Sequence, residues 1–258
     1  MTWTTQPRSN AGPLAAITSG KGPLVVLIHG VGLRAEAWGA QIQMLSRSCR
    51  VVAVDMPGHG DSAPLPAQPK LSDFVAPIAA AVDEPAVVIG HSFGAMIALD
   101  IAIRYPKRVK GIAALNAIYR RSNDAKAAVM ARADSLDGTS VADPTPTLTR
   151  WFGSDTSPER DACGAWLRAI DPSGYRDAYR IFAAENGPRY PDLIAMKCPA
   201  LFLTGEKEPN STPAMSHAMA ALVPNGRANI VADAAHMMPM THASNINAIL
   251  SDFIRTVS

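Results

Sequence analysis

Apolar positions along the chain follow two rhythms. The first is the short unbroken run: Leu24 to Ile28, Arg50 to Asp55 after its leading arginine, Val87 to Ile89, Val109 to Leu115, Pro199 to Thr204 and Ala228 to Val231. Runs of this length, rich in Val, Ile and Leu, predict strands buried on both faces, as in a parallel sheet covered by helices. The second rhythm is helical. Trp38, Ile42 and Leu45 stand at i, i+4 and i+7. Cys163, Trp166, Leu167 and Ile170 follow the cap signature Ser157-Pro158-Glu159. Tyr175, Tyr179 and Phe182 mark a further turn, and Ile246, Ile249, Leu250, Phe253 and Ile254 form a closing stripe.

For most of the chain the two rhythms alternate, which predicts βαβ units and an α/β fold with helices on both faces of a mostly parallel sheet. Helices are also expected from the residues after Gly94 to Tyr105-Pro106 and around Pro213 to Leu222. Ser72 is the expected cap of a helix to about Val82. Pro77 inside it costs on the order of 3 kcal/mol and predicts a kink or a late start. The proline-rich stretch Ala63 to Pro69 reads as loop. Between 117 and 197 the strand-like runs stop and only helical stripes remain. The organisation predicted is a core over 1–116, a helical cap insertion over 117–197 and the rest of the core over 198–258.

Composition narrows the partners. With a formal charge of +2 over 258 residues, nucleic acid and acidic membrane surfaces are not indicated. Cys49, Cys163 and Cys198 are odd in number and far apart, so they suggest reduced thiols rather than a disulfide framework or a zinc site. Met1 to Arg8 lacks the apolar region of a secretory signal, and no run is long enough to span a membrane, so a cytoplasmic setting is expected.

The candidate chemistry sits where Val87-Val88-Ile89 runs into Gly90-His91-Ser92-Phe93-Gly94 and then into an alanine-rich helix. Gly-x-Ser-x-Gly between strand and helix presents serine on a sharp turn, with glycines where a Cβ would collide with the neighbouring strand or helix. Such a serine needs a base, and the base needs a carboxylate to hold its tautomer. His236, between the last strand and the last helix, has the right placement, with His242 as its rival. His29 and His59 lie in glycine-flanked turns that they would brace, His91 should point away from the serine, and His217 lies within a helix.

Taken in order, His29-Gly30-Val31-Gly32, Asp55-x-x-Gly58-x-Gly60-x-Ser62, Gly90-His91-Ser92-Phe93-Gly94, Gly205-Glu206-Lys207-Glu208-Pro209 and Ala235-His236-Met237 resemble the α/β-hydrolase superfamily over nearly the whole chain. The segment Gly32 to Trp38 and the serine turn are similar to its small cofactor-free carboxylesterases and lactonases. These include pimeloyl-acyl-carrier-protein methyl ester esterases, 3-oxoadipate enol-lactonases and cofactor-free haloperoxidase relatives. The resemblance implies Ser92 as nucleophile, His236 as base, and an oxyanion hole from the N–H groups of Val31 and Phe93.

At the position where these relatives usually carry aspartate stands Glu208, the expected acid. Glu206 and Asp233 are nearby alternatives, and Asn116 stands where some members place theirs. Asp55, Gly58, Gly60 and Ser62 are expected to brace the site. Trp151, Phe152, Trp166, Tyr175 and Phe182 from the insertion, with Met237, are candidate substrate contacts. Arg120 and Arg121 would suit an anionic acyl chain or carrier, although surface arginines ordinarily have no such task. The implied activity is hydrolysis of a small-molecule ester or lactone without metal or organic cofactor; a carrier protein is conceivable. C–C bond hydrolysis, perhydrolysis and a decayed ligand-binding protein of the same fold remain alternatives.

Overall fold

The computed structural model describes residues 7–66 and 68–257. Residues 1–6, part of the stretch read as lacking a signal sequence, and Ala67 in the proline-rich loop lie outside the described residues. The strands are β1 (Ser9–Ala11), β2 (Leu14–Ser19), β3 (Leu24–Ile28), β4 (Arg50–Val54), β5 (Ala86–His91), β6 (Val109–Leu115), β7 (Ala200–Gly205) and β8 (Gly226–Val231). They form one sheet in the order β1-β2-β4-β3-β5-β6-β7-β8. β1 and β2 pair antiparallel, as do β2 and β4, and every other neighbouring pair is parallel.

Alternate residues of the central strands explain the unbroken apolar runs. Val25 and Leu27 join one hydrophobic cluster with Trp38, Ile42, Leu250 and Phe253, while Val26 and Ile28 join another with Phe74, Ile97 and Phe202. Both faces are dry, so no position in β3 has water to meet.

On the first face lie α1 (Gly39–Leu45), α10 (Met238–Thr241) and α11 (Ala243–Val257). The second face carries α2 (Leu71–Ala80), α3 (Phe93–Arg104) and α9 (Pro213–Leu222). Between β6 and β7 come five helices: α4 (Asn123–Asp134), α5 (Thr145–Phe152), α6 (Pro158–Ala169), α7 (Pro172–Ala184) and α8 (Tyr190–Ile194). Ser157 and Asp171 cap two of them, accepting from the N–H groups of Arg160 at 3.1 Å and Gly174 at 2.7 Å.

The structure departs from expectation in two places. The hairpin of β1 and β2 is not visible in the hydrophobic pattern, because its first strand is short and polar; Gly12, at φ +57°, makes its turn. The helix expected to be capped by Ser72 begins at Leu71 instead, where Asp73 Oδ2 accepts from the Lys70 N–H at 2.8 Å, and it runs through Pro77. The carbonyl that Pro77 leaves without its helical donor belongs to Asp73, an exposed residue within reach of water.

Candidate active site

Ser92 occupies the turn between β5 and α3 with φ 56° and ψ −117°, a conformation costly for any residue with a Cβ. The turn is held from both sides. The Ser92 N–H donates to the Leu115 carbonyl at 2.8 Å, and the Ser92 carbonyl accepts from Ala95 at 3.0 Å. A Cβ on Gly90 would stand 2.0 Å from the Gly94 carbonyl oxygen, and one on Gly94 would stand 2.2 Å from that of Ile28. Both glycines are therefore required by backbone contact, the first against the following helix and the second against β3.

The loops after β7 and β8 bring an acid and a histidine together. They are laced by the Glu206 N–H on the Val231 carbonyl, 2.9 Å, and by Lys207 N–H on Ala234, 2.8 Å. Across them Glu208 Oε2 lies 2.7 Å from His236 Nδ1. The other oxygen of Glu208 accepts from the N–H groups of Asn210 at 2.8 Å and Ser211 at 3.2 Å. Burial alone would push this carboxyl upward, but the His236 ring and the two amides outweigh it and hold the group down at about 2. Glu208 is therefore a buried carboxylate at neutral pH. Glu206 is exposed and accepts from the Asp233 N–H, and Asp233 pairs with Lys207 at 2.8 Å, so the imidazole is held by Glu208 rather than by either alternative.

The backbone of His236 is held as well. Its carbonyl receives Asn116 Nδ2 at 2.7 Å and His91 Nε2 at 2.8 Å. A carbonyl only accepts, so the His91 proton resides on Nε2. Burial, then the neighbouring His236, drives the His91 pKa down to about 3, which keeps this ring neutral. His29 is also buried and neutral; it accepts from the Met56 N–H at 3.0 Å and braces the loop after β4. His217 is exposed on α9, and the Nδ1 of His242 lies 2.9 Å from Thr241 Oγ1. The Asp55 turn is a brace too: Asp55 accepts from the N–H groups of Ala35 and Asp61, and Ser62 Oγ donates to the Asp55 carbonyl.

Ser92 and His236 open on one cavity of about 290 Å³. Val31 lines it, and a Cβ on neighbouring Gly30 would lie 3.1 Å from Ser92 Cβ, so the loop after β3 stands against the serine. The Phe93 side chain is wholly buried, but its N–H is in the first turn of α3, where no intrahelical carbonyl is available.

Helices of the insertion wall the cavity with residues at helical spacing: Val129 and Arg132 from α4, Thr147 and Trp151 from α5, Tyr175 and Tyr179 from α7. Trp151 and His236 stack with ring planes 18° apart. Phe182 lines the cavity together with Trp151 and Tyr175, but Phe152, Trp166 and Met237 do not. Phe152 turns away by one helical step from Trp151 and is half-buried on the core, Trp166 lies on α6 and is half-buried there, and Met237 is 1% exposed inside the core.

Arg132, Arg150, Asn210 and Ser211 also stand on the cavity wall, although no motif marks them in the sequence. The spacing of Ala125, Val129 and Arg132 was the available signal for α4, but alanine-rich polar helices show little periodicity. Arg121 is buried and lines the cavity, unlike exposed Arg120. Among the described residues no three His, Cys, Asp or Glu side chains converge as a metal site, and no helix is long and apolar enough to cross a membrane.

Known proteins resemble this chain in sequence and in fold. The profile of the alpha/beta hydrolase family matches residues 25–249. The chain is 36% identical over 243 residues to an (E)-2-((N-methylformamido)methylene)succinate hydrolase of Acinetobacter baylyi, covering 92% of each. It is 30% identical over 253 residues to a pimeloyl-acyl-carrier-protein methyl ester esterase of Xanthomonas oryzae, covering 92% of this chain and 97% of the relative. In fold it is similar to a thermophilic esterase from Thermogutta terrifontis, with a TM-score of 0.84 at 23% identity over 98% of this chain and 99% of the other.

Proposed function

The chain belongs to the α/β hydrolase family, and from that premise we propose that it is a serine hydrolase of a small carbonyl substrate, an ester or lactone, working through an acyl-enzyme on Ser92. The observation that carries this reading is the His236–Glu208 pair, 2.7 Å apart, whose imidazole opens on the same cavity as Ser92 while the carboxylate lies buried behind it.

In this mechanism Ser92 Oγ bonds to the substrate carbonyl carbon as its proton passes to His236 Nε2. Glu208 keeps the other ring proton on Nδ1 and stabilises the imidazolium. The oxyanion is received by the N–H groups of Val31 and Phe93. One such donor is worth ~10²–10³ in rate in acyl-transfer enzymes. The carbon–oxygen bond to the leaving group then breaks, and the leaving alkoxide takes the proton from His236. Water attacks the acyl-enzyme by the same route, giving its proton to His236, and Ser92 recovers one as the acid departs. The helices over 117–197 act as a cap that walls the site from bulk water, and Trp151 is the substrate contact nearest the imidazole.

A second reading is favoured by the 36% identity to the Acinetobacter protein, whose name describes cleavage of an N-acyl enamine on a succinate skeleton. The same three residues serve it, with nitrogen as the leaving atom.

The test is intact mass and peptide mapping after treatment with a fluorophosphonate, followed by turnover of an aryl ester, an enol-lactone, a vinylogous diketone and an N-formyl enamine. One adduct, on Ser92, is expected, together with faster turnover of the oxygen esters. No adduct on folded protein would overturn the nucleophile assignment, and enamine turnover above that of the esters would select the second reading.

A further inference from the structure

The cavity above Ser92 has an unbalanced wall. Arg121, Arg132 and Arg150 all line it, and no aspartate or glutamate does. In a chain of net charge +2 this is a concentrated field at one small opening. Several arginines elsewhere pair with carboxylates, Arg8 on Glu36 and Asp55, Arg34 on Glu36 and Arg50 on Asp83, while Arg108 and Arg160 donate to backbone carbonyls. A larger groove, about 550 Å³, lies beside α2 and α3, and its arginines are neutralised, Arg104 by Asp100 and Arg189 by Asp192.

The three at the cavity form no ion pair among the described residues and converge on one opening. Arg121 is 7% exposed and, among the described residues, has no carboxylate partner. Its guanidinium donates to the carbonyls of Phe182 and Glu185 and lies 4.5 Å from the centre of the Phe182 ring. Carbonyl dipoles hold it in place without cancelling its charge. Half-buried Arg132 and exposed Arg150 have no side-chain hydrogen bond or ion pair among the described residues; exposed Asp143 acts on Arg132 only through its field, so both forks are free to bind.

A second, independent sign lies on the same cavity. Ser211 is 1% exposed and its Oγ has no hydrogen-bond partner among the described residues. A buried hydroxyl left unpaired is costly, and a ligand oxygen would relieve that cost. The remaining walls are aromatic, with Trp151, Tyr175 and Tyr179. A planar guanidinium fork matches the two oxygens of a carboxylate, and aromatic walls suit a short carbon chain behind it.

We propose that Arg121, Arg132 and Arg150 form a carboxylate subsite, and that the substrate is a small carbonyl compound bearing a free carboxylate a few carbons from the cleaved bond. Arg132 and Arg150 bind the carboxylate directly, and Arg121 supplies fixed positive charge behind them. As a statement about turnover this rests on Ser92 being the nucleophile; as a statement about binding it does not.

The test uses two esters of equal length, methyl hydrogen glutarate and methyl pentanoate, which differ in a terminal carboxylate against a methyl group. Wild type is expected to show a kcat/KM at least tenfold higher for the half-ester, mainly through KM, with the advantage shrinking between 20 and 500 mM NaCl as the screening length shortens. In R132Q/R150Q the ratio of the two kcat/KM values should fall at least tenfold.

Calorimetry on Ser92→Ala, which cannot turn either ester over, should show at least tenfold tighter binding of the half-ester, and the triple variant with R132Q/R150Q should lose that preference. Equal binding of the two esters, or a preference that survives loss of both arginines in a protein with an unchanged circular dichroism spectrum, overturns the subsite. Preferential binding without turnover of either ester by wild type leaves the subsite standing and sinks the hydrolase reading instead.

Discussion

The indole of Trp151 lies nearly parallel to the imidazole of His236, with ring centroids 5.7 Å apart and planes 18° apart. One ring comes from the insertion and the other from the loop after β8, so the helices between β6 and β7 touch the candidate base itself. A protonated imidazole over an indole face gains a cation–π attraction of ~0.5–2 kcal/mol, depending on solvent exclusion. Trp151→Leu should therefore lower kcat about three- to thirtyfold, and Trp151→Phe should restore most of it. Steady-state kinetics on a soluble ester decides this; an unchanged kcat in Trp151→Leu would mean that the stacking is packing alone.

Glu208→Gln keeps the shape of the acid and its two backbone contacts but offers an N–H to His236 Nδ1. The ring then carries its proton on Nε2 and cannot accept one from Ser92. A loss of roughly 10³–10⁴ in kcat is expected, by analogy with the same tautomer error in a Ser-His-Asp triad. Fluorophosphonate labelling of Ser92 should slow in parallel. Full activity would move the acid to another residue.

The same carboxylate links folding to pH. Glu208 is held at about 2 in the folded protein against 4.5 in an unfolded chain. A depressed carboxylate contributes its full stability above the unfolded value, and loses it as pH falls toward the folded one. At neutral pH this is about 3 kcal/mol, fading between roughly pH 4.5 and 2. Urea denaturation of wild type and Glu208→Gln at several pH values should converge as pH drops through that window. Parallel curves would show that other groups set the acid limb.

Asn116 Nδ2 reaches the His236 carbonyl at 2.7 Å, and Asn116 Oδ1 in turn lies 3.0 Å from Thr204 Oγ1. It acts on the candidate base through its backbone and is a positioning residue. Asn116→Ala leaves His91 as the remaining donor to that carbonyl, so kcat should fall about tenfold while KM changes little, since misplacing a catalytic group by a fraction of an ångström costs rate rather than binding. A rise in KM with kcat intact would instead place the side chain on the substrate.

Ser92 stores strain at φ 56°, ψ −117°. Glycine relieves it at some entropic cost in the unfolded chain, and alanine relieves nothing. Ser92→Gly should therefore be more stable than Ser92→Ala by about 1 kcal/mol, although both are inactive. Equal urea midpoints would show that the turn is imposed at no cost.

The sequence by itself determined the sheet and the chemistry built on local turns. Runs such as Leu24–Ile28 admit only a strand buried on both faces, and Gly90-His91-Ser92-Phe93-Gly94 admits only a tight strand-to-helix turn, because its glycines meet backbone at 2.0 and 2.2 Å. Each depends on neighbours in the chain. Glu208 and His236 were reachable as a pair because both follow predicted strands that end at the same edge of the sheet.

Tertiary structure decided what faces the cavity. Trp151 and Phe152 are adjacent and equally apolar, yet only the first lines it, because α5 packs on α6 and sets Trp151 against His236 from the loop after β8. Arg121 and Arg120 look alike in the chain, but one is buried without a carboxylate and the other is exposed. A side chain's periodicity records that a face is covered, not by what. The unneutralised charge over Ser92 exists only once α4, α5 and the segment after β6 have been brought to one place.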